Sequence, residues 1–181
     1  CWRSTVIGVS LAIRGVGDAP TLHGDQRRRV LRVRSGARVA LRDLIIRGGH
    51  NIDPASIEEP LNRHPAVQIA AAVGRPDAHA GEVPVAYVQL KPGAGASEED
   101  LLTFARSHTG ERAAVPKAIR IVPAMPLTAV GKIFKPALKL RETEDALSEA
   151  LRSADVAFET VKASNDATQG TVVDVVLAEG E

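Results

Sequence analysis

The stretch Val67-Gln68-Ile69-Ala70-Ala71-Ala72-Val73, followed after a break by Val83-Pro84-Val85-Ala86-Tyr87-Val88-Gln89-Leu90, decides the fold. Both runs are rich in valine, alanine and isoleucine. Each is bounded by turn-forming residues: Gly74-Arg75-Pro76-Asp77 after the first, Lys91-Pro92-Gly93 after the second. Short apolar runs with such punctuation predict strands, here over 67–73 and 83–90, pairing antiparallel.

Upstream, Leu44-Ile45-Ile46 is a β-prone run ended by Gly48-Gly49, which predicts a strand that turns sharply and then a helix. Asp53 suits the cap of that helix and Pro54 its first position. Ile57 and Leu61 fall four apart on one face, and His64-Pro65 marks the end. Downstream, Ser97-Glu98-Glu99-Asp100 supplies a hydroxyl cap and first-turn acids for a second helix, with Leu101, Leu102, Phe104 and Ala105 as its buried face and an end near Gly110. A strand over 118–122, a loop over 123–131 and a last helix from Lys135 to about Leu151 complete an α+β unit with a short antiparallel sheet flanked by helices. Beyond it, the alternating runs 156–161 and 171–177 predict a β-hairpin extension.

Composition limits what this chain does. Its 181 residues fit one ordinary domain with extensions, and 44% hydrophobic with 25% charged residues is the balance of a globular protein. No run approaches the roughly 20 apolar residues of a membrane-spanning helix. Cys1 is the single cysteine, so an internal disulfide is excluded and a cytoplasmic location is expected. His23, His64, His79 and His108 are scattered without ligand spacing, and no metal site is expected. The chain opens on Cys1 without a signal-like segment and reads as a fragment.

The net charge of +1 conceals an asymmetry. Residues 1–42 hold nine arginines, no lysine and two aspartates, a net of +7, whereas residues 43–181 hold 14 basic and 20 acidic residues, a net of −6. Arg27-Arg28-Arg29, Arg32, Arg34 and Arg38 have the charge for phosphate contacts, but Gly15, Gly17, Pro20, Gly24 and Gly36 break any steady period. The expectation is a solvated tail rather than a nucleic-acid module. Translation of GC-rich coding sequence in a wrong frame is a further reading of its arginine-only basicity.

Asp43-Leu44-Ile45-Ile46-Arg47-Gly48-Gly49-His50-Asn51-Ile52-Asp53-Pro54 with Ile57-Glu58-Glu59, then His64-Pro65-Ala66-Val67, Gly74-Arg75-Pro76-Asp77, Gly81-Glu82-Val83-Pro84 and finally Pro126-Leu127-Thr128-Ala129-Val130-Gly131-Lys132-Ile133, occur in order over about residues 42–141. In that order they resemble the carboxy-terminal domain of adenylate-forming enzymes, with acyl-CoA synthetases the closest subgroup. Gly131-Lys132 is not a phosphate loop, because no glycine stands five residues before Gly131 and Ile133 occupies the Ser/Thr position.

The resemblance implies a mobile lid that serves two reactions: joining a carboxylate to the α-phosphorus of ATP, then attack of the CoA thiol on the acyl-adenylate. It assigns to Lys132 the catalytic cation of the first reaction, with Gly131 letting the backbone turn and approach closely. It places Gly48, Gly49, His50 and Asn51 beside the passage for the pantetheine arm of CoA, with no general base assigned to His50. It makes Arg42 and Asp43 the hinge. In an ungapped match Val39-Ala40 stand where the family carries Gly-Arg, so the ribose-contacting arginine is missing unless a shift lets Arg38 substitute.

ATP, with Mg, and the acid are expected to bind mainly to an amino-terminal partner domain whose motifs this sequence lacks. The isolated chain is therefore expected not to activate acids, and acyl chain length is not legible in it. The expected organisation is an irregular segment 1–42, the lid at 43–152 and the hairpin at 153–181. A stand-alone module that binds pantetheine or another protein on the same fold is the competing expectation.

Overall fold

The computed structural model describes residues 44–166 and 170–178. The arginine-rich segment and the expected hinge residues Arg42 and Asp43 lie outside the described residues. The elements run β1 (Ile45–Arg47), β2 (His50–Ile52), α1 (Ala55–Asn62), β3 (Val67–Asp77), β4 (Gly81–Leu90), α2 (Glu98–His108), β5 (Ala118–Ile121), α3 (Lys135–Ser153), β6 (Phe158–Asp166) and β7 (Gly170–Leu177).

β3 and β4 pair antiparallel through almost their whole length, and the remaining short strands gather on the far side of β4. β1 touches β4 where Arg47 lies opposite Gly81, and β2 folds back on β1. β5 joins β4 in parallel, Val85 opposite Ala118 through Val88 opposite Ile121. The sheet is thus antiparallel except at β5, which the chain reaches by crossing over through α2.

Both faces of the sheet are covered, which is why β3 and β4 read as nearly continuous apolar runs rather than alternating ones. On one face, Ile57 and Leu61 of α1 and Leu101 and Ala105 of α2 pack on Ala70, Ala72, Ala86 and Val88. On the other, Leu138 of α3 packs with Val122 and Met125 on Ala71, Val73, Val85 and Tyr87. The alanines let the helices approach closely, and Leu138 is fully buried.

Three sequence expectations change in detail. The turn after Ile46 leads first into β2, which three residues make too short to recognise. β3 does not stop at Val73 but runs through Gly74-Arg75-Pro76 to Asp77. Gly74 leaves room for the Glu82 carboxylate, which a Cβ there would meet at 2.5 Å and displace, and Pro76 is tolerated because β3 is an edge strand. Ser164-Asn165-Asp166, between the two runs predicted as strands, are likewise strand, continuing β6 to Asp166.

Pro84 sits in the central strand, where a missing N–H is normally costly. Its carbonyl accepts the Lys117 N–H at 2.8 Å, so its nitrogen faces the same side, in the gap between the contacts of β1 and β5. No ladder bond is lost. The edge of β3 is closed by side chains of α1, with Asn62 Oδ1 accepting the Ala70 N–H at 2.9 Å and Glu58 Oε1 the Ala72 N–H at 2.7 Å.

The helix starts follow their sequence signals. Ser97 and Asp100 form a reciprocal capping box on α2. Pro54 already has helical torsions (φ −52°, ψ −32°), and the Asp53 carboxylate accepts the Ala55 N–H at 3.0 Å. The β6–β7 hairpin rests on α3: Glu144 Oε1 accepts the Ala163 N–H at 2.8 Å, and the Arg152 guanidinium lies 5.4 Å from the centre of the Phe158 ring.

Candidate functional site

Lys132 lies at the tip of a loop that the backbone braces against itself. Leu127 and Ile133 bridge antiparallel, the Thr128 N–H donates to Lys132 O at 2.7 Å, and Phe134 N–H donates to Pro126 O at 2.7 Å. The tip is closed by the Gly131 N–H on Thr128 O (2.9 Å), with Gly131 at φ +74°. That is a three-residue hairpin loop whose last residue must adopt a left-handed conformation, which glycine does without strain. Lys132 N–H donates to Thr128 Oγ1 at 3.1 Å, so both polar backbone groups of the lysine are held by one threonine. Its ammonium is exposed and has no partner among the described residues.

The loop also exposes apolar surface. Leu127, Val130 and Phe134 are 55%, 79% and 44% exposed, whereas Ile133 turns inward and packs on the core under α3. Solvated loops rarely gather three large apolar side chains around one lysine.

Gly48 (φ +54°) and Gly49 (φ +86°) form the two-residue turn between β1 and β2. Two consecutive positive φ values are those of a type I′ hairpin, which glycine pairs favour. The Gly48 N–H donates to Ala80 O at 2.8 Å, and a Cβ at either glycine would have open space around it. The turn borders an open cleft of about 540 Å³ lined by Arg47, Gly48, His50, Ala80, Glu111, Arg112 and Ala113. Arg47 Nη1 donates to Ala113 O at 2.8 Å, and His50 Nδ1 lies 3.6 Å from Glu111 Oε1. His50 and Asn51 are both exposed. Glu111 and Arg112 escape a sequence reading because nothing near Gly110 signals that they return to β1.

The two loops do not meet. The glycine turn sits beside Gly81, at the start of β4. The segment leading to Lys132 leaves the sheet next to Gln89, whose Oε1 accepts the Met125 N–H at 2.8 Å. Gly81 and Gln89 are roughly 27 Å apart along an extended strand. No hydrogen bond or ion pair among the described residues joins the loops.

The strongest electrostatic feature lies elsewhere. Glu142 of α3 is fully buried and accepts hydrogen bonds from Arg75 Nη1 (2.7 Å), the Tyr87 hydroxyl (2.8 Å) and Arg120 Nε (3.0 Å). Burial alone would raise its pKa, but the donors from Arg120, Arg75 and Tyr87 together hold the carboxyl below the usual range. Burial and the Glu142 charge push the Tyr87 phenol up, so it stays a donor. Arg75 also pairs with Glu149 at 2.7 Å. This network fixes α3 to the sheet. Of the other histidines, His23 lies outside the described residues; His64 packs edge-on and His108 stacks on Phe104, and His79 is exposed in the β3–β4 turn. Among the described residues no group of three or more His, Cys, Asp or Glu side chains is placed to hold a metal ion.

Residues 56–132 match the family described as the AMP-binding enzyme C-terminal domain, a span that ends on Lys132. The chain is 44% identical over 144 residues to the marinolic acid–CoA ligase of Pseudoalteromonas sp. (strain SANK 73390), covering 76% of this chain and 21% of that protein. It is 45% identical over 104 residues to the long-chain-fatty-acid–CoA ligase of Bacillus subtilis (strain 168), covering 58% of this chain and 18% of the relative. Among solved structures, the Brucella canis acyl-CoA synthetase superposes with a TM-score of 0.53 at 34% identity, over 57% of this chain and 20% of that one. The chain spans about a fifth of the length of the curated relatives it matches. No helix among the described residues is long and apolar enough to cross a membrane.

Proposed function

We propose that this chain, whose residues 56–132 match the AMP-binding enzyme C-terminal domain, works as the lid of an ATP-dependent ligase joining a fatty or other carboxylic acid to CoA. The exposed, unpartnered ammonium of Lys132 on its self-braced loop carries this reading. A carboxylate and a triphosphate repel each other, and a cation delivered between them offsets that repulsion as charge develops on the bridging oxygens. Leu127, Val130 and Phe134 give the loop an apolar rim to bury when Lys132 enters a cavity of the partner domain. ATP, its magnesium and the acid would be held mainly by that amino-terminal domain.

The glycine turn serves the second half of the reaction. Without side chains at Gly48 and Gly49, a slender pantetheine arm can pass close to the backbone, flanked by His50 and Asn51. In this assignment the lid occupies 43–152, with Arg42 and Asp43 as hinge, residues 1–42 are a separate segment and 153–181 an added hairpin. Cytoplasmic chemistry with ATP and CoA suits it.

The test supplies the missing part. The amino-terminal portion of the Bacillus subtilis ligase, freed of its own lid, is mixed with or fused to this chain. Acid-dependent ATP–pyrophosphate exchange should appear with both parts and be absent with this chain alone. Lys132→Ala should lower that exchange by about 100-fold or more, while thioester formation from supplied acyl-adenylate stays within about threefold. Exchange by the chain alone, or full exchange with Lys132→Ala, would overturn the reading. Tight CoA binding by the chain alone would instead favour a stand-alone pantetheine-binding module.

A further inference from the structure

Lys135 is the first residue of α3, three positions after Lys132. A cation there is misplaced on electrostatic grounds, because the N-terminal end of a helix carries partial positive charge and favours acids. The first turn of α3 contains no acid, and no side chain caps it. The compensation comes from another element: Lys135 Nζ lies 2.8 Å from Glu58 Oε1 of α1. The same oxygen accepts the Ala72 N–H at the edge of β3. One carboxylate oxygen thus gathers α1, β3 and the start of α3.

Both partners of this pair are only 19% exposed, in contrast to Glu59–Arg63 on the same helix, whose side chains are 69% and 76% exposed. Partial burial reduces screening and gives the inner pair more weight than its neighbour. Lys135 directly follows the residue that closes the neck of the lysine loop, since the Phe134 N–H donates to Pro126 O. On the other side of that neck, Met125 is fixed to Gln89. The loop therefore has two footings, and the Glu58–Lys135 pair is the one that touches α3.

We propose that Glu58 and Lys135 are positioning residues for Lys132: their ion pair locks the α3 end of the lysine loop to the sheet edge, so that the loop keeps its shape when it meets its target. The inference rests on the reading of Lys132 as the delivered cation, but its test does not.

Backbone amide hydrogen exchange on the 181-residue chain separates the possibilities. Glu58→Gln keeps an oxygen for the Ala72 N–H but removes the charge that holds Lys135. Lys135→Met removes the same pair from the other side, and Lys135→Arg retains it. In the Gln and Met variants the amides of Lys132 and Phe134 should exchange about tenfold faster or more, with Ala72 and the β4 amides near their original rates. Lys135→Arg should keep the loop protected, and Glu59→Gln should leave it unchanged. Unchanged loop exchange in Glu58→Gln and Lys135→Met would overturn the proposal. So would a uniform acceleration across the sheet, which marks a merely structural pair. Because exchange is read without any reaction, a failure here is distinct from failure of the Lys132→Ala assay.

Discussion

Gly49 and Gly74 each resist a side chain, for opposite reasons. Gly49 has open space around it but a φ of +86°, so Gly49→Ala should cost about 1–2 kcal/mol through backbone strain alone, read as a lower urea midpoint. Gly74 has no unusual φ; alanine there would strike the Glu82 carboxylate, whose Oε2 accepts the Ile46 N–H at 3.0 Å. Gly74→Ala should therefore loosen β1 and its glycine turn, seen as faster exchange of the Ile46 amide. The first glycine is legible in sequence as half of a Gly-Gly pair between β-prone residues. The second is misread as the start of a turn, because its constraint comes from another strand. Glu142 is hidden in the same way, as its partners lie 67, 55 and 22 positions distant. Glu142→Ala should cost about 3 to 5 kcal/mol by leaving buried arginine and tyrosine donors unmatched. Its carboxyl titrates lower folded than the ordinary value of 4.5. The stability it contributes is present in full above that value and is lost as pH falls through the lowered one. Glu142→Gln should accordingly flatten the acid limb of a denaturation-midpoint profile.

Among the elements, those with a local signal are legible and those defined by distant pairing are not. α2 announces itself through Ser97 and Asp100, and β3 and β4 through their valine-rich runs. β2 depends on a ladder three residues long, and the parallel docking of β5 depends on where α2 returns the chain. α3 is legible as a helix, but which face it buries is settled by Leu138 and Glu142, one apolar and one charged. Leu138→Ala should destabilise the domain by about 2–5 kcal/mol. Removing residues 154–181 should act more locally. The hairpin touches α3 through Glu144 and Arg152, so its loss should raise exchange in the C-terminal half of α3 while β3 and β4 keep their protection.

Across the whole molecule, sequence order brings the glycine turn and the lysine loop into one list of motifs, but β4 holds them at opposite ends. No local pattern encodes that separation, because it follows from the register of β1 on Gly81 and the anchoring of Met125 on Gln89. CoA titrated into the chain should shift amides of Gly48, Gly49 and His50 and leave those of 128–133 unmoved; shifts at both loops would contradict the separation. On the proposed reading, a strand of this length makes the order of events a matter of occupancy. While one tip is engaged with a common reaction centre, the other is held out in solvent, and neither half-reaction can begin until the other tip has withdrawn. An excess of CoA that pins the glycine end would then act as a brake on adenylation without competing for the place of ATP or acid.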